Sequence, residues 1–235
     1  MMLLKDQSSQ YLDFLDRWFA HLPAMTFTDL MRDSKTTAVF CVDMINGFCT
    51  VGPLASPRVQ GIVQPIASLF RTAYAAGVRH FILPQDTHDP QAVEFDHYPP
   101  HCVSGDWQSQ TVPELLDLPF AGDFTVIVKN SISSSENTSM DTWLDAHPEL
   151  HTFIVTGDCS DLCTYQLAMH LRLRANSRQM RDVRVIVPAN CVQTYDTPMA
   201  AAIKYGIPPH DGDLLHAVFL HNMSINGVEV VGSVI

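Results

Sequence analysis

The chain has 235 residues, 46% of them hydrophobic and 17% charged, with a formal net charge of −11. This composition sets aside intrinsic disorder, and the acidic balance sets aside non-specific nucleic-acid binding, which needs a basic field. The length suits one substantial core, and no apolar run is long enough to span a bilayer.

In chain order, residues 7–22 carry an amphipathic pattern in which Tyr11, Phe14, Leu15, Trp18, Phe19 and Leu22 form an apolar stripe. Such a helix serves either as an oligomerisation arm or, the reading preferred here, as a cover on its own domain. The segment from Pro23 to Lys35 links it to the main domain, so residues 1–35 are expected to be helix and linker and residues 36–235 the principal domain. Strands and helices then alternate. Strands are predicted at Ala38–Asp43, Arg79–Pro84, Phe124–Lys129, Thr152–Thr156 and Val183–Pro188. Ala217–Leu220 is a weaker sixth strand, and Val228–Val231 suits an edge. Helices are predicted over residues 58–76, with a kink at Pro65, near Val112–Leu116, from a capping box at Thr138-x-x-Asp141, from Asp161, and near Pro198–Tyr205. Short, continuous apolar strands alternating with helices imply a three-layer, doubly wound α/β fold: a mostly parallel six-stranded sheet with helices on both faces.

In such sheets ligands bind beyond the carboxyl ends of the strands. The chemistry-bearing residues fall there: Asp43 after the first strand, Asp86 and His88 after the second, Lys129 at the end of the third, Cys163 after the fourth. The stretch from Phe153 to His170 runs from a strand through Gly157 into a helix, which places Cys163 in a first helical turn that favours a thiolate. Asp43, Lys129 and Cys163 make a workable nucleophilic set, with a carboxylate to take the thiol proton and an ammonium to stabilise the thiolate. Asp86, His88, Glu94 and His101 offer two carboxylates and two imidazoles suited to Zn²⁺, Mn²⁺ or Fe²⁺. The alternative for that segment is a polar loop with surface histidines, and Asp89, Asp96 and His97 lie in it too. Neither a GxGxxG after the first strand nor a GxxxxGK[ST] is present, so the fold is not read as nucleotide-binding. The six cysteines show no CxxC pair and irregular spacing, and residues 1–7 lack the features of a secretion leader. Reduced thiols and a cytoplasmic location are expected.

From about Thr36 to Tyr205 the chain resembles the isochorismatase-like cysteine hydrolase superfamily, and within it the nicotinamidases. The resemblance rests on Val42-Asp43-Met-Ile-Asn46-Gly47-Phe48, Gln85-Asp86-Thr-His88, Tyr98-Pro-Pro-His101-Cys-Val-Ser-Gly105, Val128-Lys129, and Thr156-Gly157-Asp-Cys-Ser-Asp161-Leu-Cys163. It implies a metal-dependent amide hydrolase converting a nicotinamide-type carboxamide to acid and ammonia through a thioester. In that scheme Cys163 is the nucleophile, Asp43 the general base and later acid, and Lys129 the charge that lowers the thiol pKa. Asp86, His88, His101 and Glu94 are the implied ligands of a divalent transition metal, with His97 competing for the fourth place. Phe48 and Tyr98 would flank the substrate ring, Tyr98 standing where a Trp is common. Two departures stand out. Asp158 and Cys159 occupy a turn where the family usually has an apolar and a small residue joined by a cis peptide, and Gly47 stands where an acid is frequent. With that turn kept, the N–H groups of Cys159 and Cys163 would form the oxyanion hole. The alternatives are a metal-independent amidohydrolase of the same superfamily acting on an N-carbamoyl or ureido compound, and a non-catalytic binding or assembly module. A homo-oligomer acting on a small amide, with no nucleic-acid or membrane partner, is expected. The arginines at 172, 174, 178, 181 and 184 are read as a solvated helix end, with steering of an anionic substrate or a partner-facing patch as alternatives.

Overall fold

The apolar runs become strands because each can bury both faces. In the computed structural model, which describes residues 8–234, they form β1 (Thr37–Val42), β2 (His80–Asp86), β3 (Phe124–Lys129), β4 (Thr152–Asp158) and β5 (Arg184–Pro188). A two-residue strand β6 (Val192–Gln193) and the edge strand β7 (Glu229–Val231) complete the sheet. Every residue of β1 and β4 is buried, whereas β3 at the far edge alternates. The strand order is β3-β2-β1-β4-β5-β7, with β6 pairing with β4, and every ladder is parallel. β1 and β4 therefore sit side by side at the centre, in register from Thr37–Thr152 to Val42–Gly157. One wing of the sheet grows from β1 and the other from β4, and the crevice beyond their carboxyl ends is where doubly wound sheets place their ligands.

Helices cover both faces. The principal ones are α1 (Ser9–Ala20), α2 (Asn46–Cys49), α3 (Pro57–Gln60), α4 (Val63–Ala75), α5 (Pro113–Leu116), α6 (Met140–Ala146), α7 (Cys163–Ser177), α8 (Met199–Tyr205) and α9 (Gly212–Ile225). One core joins Phe70 of α4 and Leu115 of α5 to Val39 and Phe81. The other joins Met140, Leu167, Leu171 and Met223 to Phe40 and Val155. Each such fully buried side chain contributes about 1.5–3 kcal/mol. Among the described residues no helix is long and apolar enough to cross a membrane.

The stripe of α1 packs on its own chain only in part, for Tyr11, Phe14 and Phe19 stay exposed. Leu15 is buried, Tyr11 Oη lies 3.0 Å from His221 Nδ1, and Phe14 and Trp18 set edges against the His221 ring on α9. Gln7, the first residue of the predicted helix, lies outside the described residues. The linker is tied to the C-terminal end: Gly232 N donates to Pro23 O at 2.8 Å, and Ala24–Met25 pairs with Ser233–Val234.

Four expectations are corrected. Ala217–Leu220 is part of α9, whose buried His216, Leu220 and Met223 recur at helical spacing and whose start is capped by Asp211 on Leu214 N; a four-residue apolar run cannot distinguish the two periods. The sheet has seven strands rather than six because β6 follows β5 through a single 3₁₀ turn, Ala189–Cys191. The helix over 58–76 is two, α3 and α4, and Pro65 sits in the first turn of α4 where its missing N–H is harmless. The capping box does not form. Thr138 Oγ1 accepts from Met140 N, and Asp141 turns instead to His170 and Arg174. The arginines of α7 and its flank find local partners: Arg174 on Asp141 and Asp145, Arg178 on Asp145, Arg184 on Glu229, and Arg172 on the Val183 carbonyl.

Candidate active site

Gly157 sets the geometry of the central crevice. Its φ is +109°, and a Cβ there would run into the Val42 carbonyl oxygen and amide nitrogen. Only glycine lets the end of β4 pass so close to β1. On the other side Asp43 adopts a φ of +54°, a region that L residues enter at a cost and that clusters at functional sites. Its backbone is held there by the bond from Asp43 N to Pro84 O. Gly47 is explained by packing, since a Cβ would press on Cys102 Sγ and Gln108.

The three residues of the expected nucleophilic set converge. Lys129 Nζ lies 2.8 Å from Asp43 Oδ2 and 3.6 Å from Cys163 Sγ. It also donates to the Ser131 carbonyl at 3.1 Å. Asp43 Oδ1 accepts from Asp86 N at 2.7 Å. A carboxylate oxygen of Asp43, one of Asp86 and Cys163 Sγ all lie within 4.8 Å of one another. Asp43 and Lys129 are essentially inaccessible and Cys163 is 7% exposed. Burial raises the Asp43 pKa to about 6, Asp86 adds to the rise, and Lys129 opposes both. For Lys129 burial acts downward, but Asp43, Asp86 and Cys163 together hold it well above its ordinary value, so it is a cation. Burial also pushes the Cys163 thiol well up. Lys129 pulls it down, while Asp43 and Asp86 push it further. The expected influence of Lys129 is present, but it does not prevail, and Cys163 rests as a thiol.

Cys163 is the first residue of α7, with Leu162 before it; the expected start at Asp161 is two residues early. The Asp158–Cys159 peptide bond is cis. The N–H groups of Cys159 and Cys163 meet no acceptor among the described residues, whereas Leu162 N and Thr164 N both donate to Cys159 O. Asp158, the unusual residue of the turn, is 2% exposed. Its Oδ1 has no partner, and its Oδ2 accepts only from Cys159 Sγ.

A second cluster adjoins the first. Asp86 Oδ1 is bonded to Lys129 Nζ, and Asp86 Oδ2 faces His88 Nε2 at 3.5 Å and His101 Nε2 at 4.0 Å. Asn130 Oδ1 accepts from Asp89 N and stands 3.1 Å from His88 Nδ1, so that nitrogen donates and the lone pair is left on Nε2. His101 Nδ1 donates to Pro99 O at 2.8 Å with the same result. Burial lowers the His101 pKa, whereas Asp86 and Asn130 outweigh burial at His88 and raise it. Two buried imidazoles with fixed tautomers, turned on one carboxylate, fit a divalent metal with its ligands already oriented, and His88 Nε2 has no hydrogen-bond partner. Glu94 stands nearby but outside this group of three, with Oε2 accepting from Ile132 N at 3.2 Å. His97 is exposed. The ring centroids of Phe48 and Tyr98 lie 5.6 and 6.3 Å from that of His101, which places both aromatics beside the cluster.

Sequence reasoning missed Asn130, although it directly follows Lys129 at a strand end. It also missed Phe95, whose edge packs on both His88 and His101, and it missed His210. That residue lies beyond the motifs and is bonded to Asp161 of the turn before Cys163.

The isochorismatase domain family model matches residues 37–206. Nicotinamidase 1 of Arabidopsis thaliana is 29% identical over 222 residues, covering 87% of this chain and 88% of that protein. Among solved structures, a cysteine hydrolase from Pseudomonas syringae pv. phaseolicola 1448A superposes with a TM-score of 0.69 at 23% identity, over 90% of this chain and 94% of that one. The pyrazinamidase of Pyrococcus horikoshii in complex with zinc superposes with a TM-score of 0.63 at 19% identity, over 84% and 99%.

Proposed function

The chain belongs to the isochorismatase family, and on that footing we propose that it is an amide hydrolase of the nicotinamidase type, cleaving a ring carboxamide to the acid and ammonia. The observation that carries this reading is Lys129 Nζ set between Asp43 and Cys163 at the point where the two wings of the sheet part. The similarity to a plant nicotinamidase supports the substrate class. Residues 36–235 form the hydrolase unit, with residues 1–35 as its N-terminal cover, acting as a cytoplasmic homo-oligomer.

The resting thiol needs a base; Asp43 and Asp86 both lie within reach, and Asp43 is assigned because its pKa is raised to about 6 while that of Asp86, turned to the imidazoles, is lowered. Asp43 takes the Cys163 proton and the thiolate attacks the carboxamide carbon. The carbonyl π pair moves to oxygen, where the Cys159 and Cys163 N–H groups hold it. Lys129 balances the negative charge throughout. As the tetrahedral adduct collapses the C–N bond breaks, and nitrogen takes its proton from Asp43 to leave as ammonia. Asp43, again a carboxylate, then takes a proton from water as its oxygen attacks the thioester. The C–S bond breaks, the acid departs, and the proton returns to sulfur. Asp86, His88 and His101, with Glu94 as the fourth candidate, would hold zinc, manganese or iron. Such an ion supplies a Lewis-acidic anchor for a ring nitrogen. Phe48 and Tyr98 pack on the ring faces and fix the carboxamide over Cys163.

The test is ammonia release from nicotinamide by metal-loaded and chelated protein. Cys163→Ala is expected to abolish it while leaving the fold intact; turnover retained by that variant would overturn the assignment.

A further inference from the structure

The turn that carries Cys163 is held from outside the matched domain. Asp161, two residues before Cys163, has one side-chain partner among the described residues: His210 Nε2, 2.7 Å from Asp161 Oδ2. The Oδ1 atom of Asp161 is buried with no partner. The other ring nitrogen, His210 Nδ1, lies 3.0 Å from the Tyr195 carbonyl oxygen. A carbonyl oxygen can only accept, so Nδ1 carries a proton. Nε2 shares its hydrogen bond with Asp161 Oδ2, so one ring ties the turn before Cys163 to the Tyr195 carbonyl.

The surroundings hold the ring in place. The imidazole stacks on the Tyr195 ring with centroids 3.8 Å apart and planes 19° apart. His210 and Thr197 exchange backbone hydrogen bonds, which closes the segment carrying α8 into a loop fastened at its base. The titratable and charged groups around the pair include Asp161 and Cys159 on the nucleophile turn, Tyr195 and Tyr98 on the aromatic side, Arg58 on α3, Asp196, and Asp211 and Asp213 at the start of α9.

We propose that His210, bridging Asp161 and the Tyr195 carbonyl, is a positioning residue that fixes the nucleophile turn and with it Cys163. This rests on the reading of Cys163 as nucleophile. His210 touches no reacting atom; it acts through Asp161, holding the segment from Cys159 to Cys163 so that the thiolate and the oxyanion-hole N–H groups keep one geometry. Without it, a buried carboxyl beside the nucleophile loses its one side-chain hydrogen-bond partner among the described residues.

The direct test is ¹⁵N NMR of the folded protein, where His210 is expected to carry a proton on Nδ1, the nitrogen facing the Tyr195 carbonyl; an unprotonated Nδ1 overturns the proposal. The kinetic test is His210→Phe, which keeps the stack on Tyr195 and removes both hydrogen bonds. Its kcat for nicotinamide is expected to fall about tenfold or more with KM within about threefold, since a misplaced reacting group costs rate rather than ground-state binding. His210→Gln, which restores one donor, recovers part of the loss. Unchanged kcat in a folded His210→Phe overturns the proposal. Cys163→Ala separates this idea from the one beneath it. If it abolishes turnover while His210→Phe changes nothing, only the positioning role falls; if it leaves turnover intact, the nucleophile assignment falls and the positioning role with it.

Discussion

Asp86 Oδ1 bonds Lys129 Nζ at 2.5 Å while Asp86 Oδ2 faces two imidazoles, so one carboxylate belongs to both the candidate nucleophilic set and the candidate metal cluster. The register dictates the sharing: Asp86 and Lys129 are paired residues at the ends of β2 and β3.

Two substitutions are expected to separate its roles. His88→Asn removes an imidazole and leaves the Lys129–Asp43 pair in place; metal retained after dialysis falls by about tenfold or more, and the rate of Cys163 alkylation is unchanged. Asp86→Asn lowers metal retention too, but it also removes a negative charge that raises the Cys163 pKa. Alkylation by iodoacetamide at pH 7 should therefore be severalfold faster than in wild type. Equal alkylation rates in the two variants would show that the clusters are independent.

Asp158 gives the second prediction. Its carboxyl is buried, has an unpartnered oxygen, and is held well above its ordinary pKa by burial first and then by Asp43. It is therefore protonated in the folded state where the unfolded chain is ionised, so folding binds a proton and stability falls as pH rises above the ordinary value of 3.8. Asp158→Val, the apolar character usual at this position in the family, removes that cost. It should stabilise by about 1–3 kcal/mol at neutral pH, with a gain in Tm that is larger at pH 8 than at pH 5. A gain independent of pH would mean that the carboxyl is not held neutral.

The sequence shows most of what lies at the strand ends and little of what lies between elements. Asp43, Asp86, Lys129 and Cys163 were legible because a parallel sheet brings the carboxyl ends of its strands together whatever the loops do. The apolar runs of β1 and β4 were legible because burial on both faces demands them. The net protonation of Cys163 was not, since it depends on how far burial outweighs one ammonium, which needs depths and distances. The helix at Ala217–Leu220 was missed because four apolar residues fit either period. His210 was missed because its partner, Asp161, is 49 residues away in the chain, and no local pattern marks a contact of that kind.

His216 carries the last prediction, of opposite sign to that of Asp158. Its Nδ1 lies 2.8 Å from Ser160 Oγ in the turn before Cys163, and the ring of Phe19 on α1 meets it edge to face. Burial, followed by the nearby Arg58, lowers its pKa from 6.5 to about 4. Between those values the unfolded chain binds a proton that the folded protein refuses, so stability falls as pH drops through this window and is unaffected by His216 above it. The full difference is on the order of 3 kcal/mol at about 1.4 kcal/mol per unit. His216→Asn retains a polar partner for Ser160 and does not titrate, so its urea midpoint should decline less than wild type between pH 7 and pH 4. Asp158 contributes a slope of the other sign over part of that range, so the comparison is cleanest in an Asp158→Val background, where the loss on acidification should be steeper than in the native chain. Parallel midpoint curves for the Asp158→Val protein with and without His216→Asn would mean that His216 takes up its proton in the fold as readily as in the unfolded chain. In that case the link from α1 through Phe19 and His216 to Ser160 would be held on acidification by a charge instead of by a neutral ring.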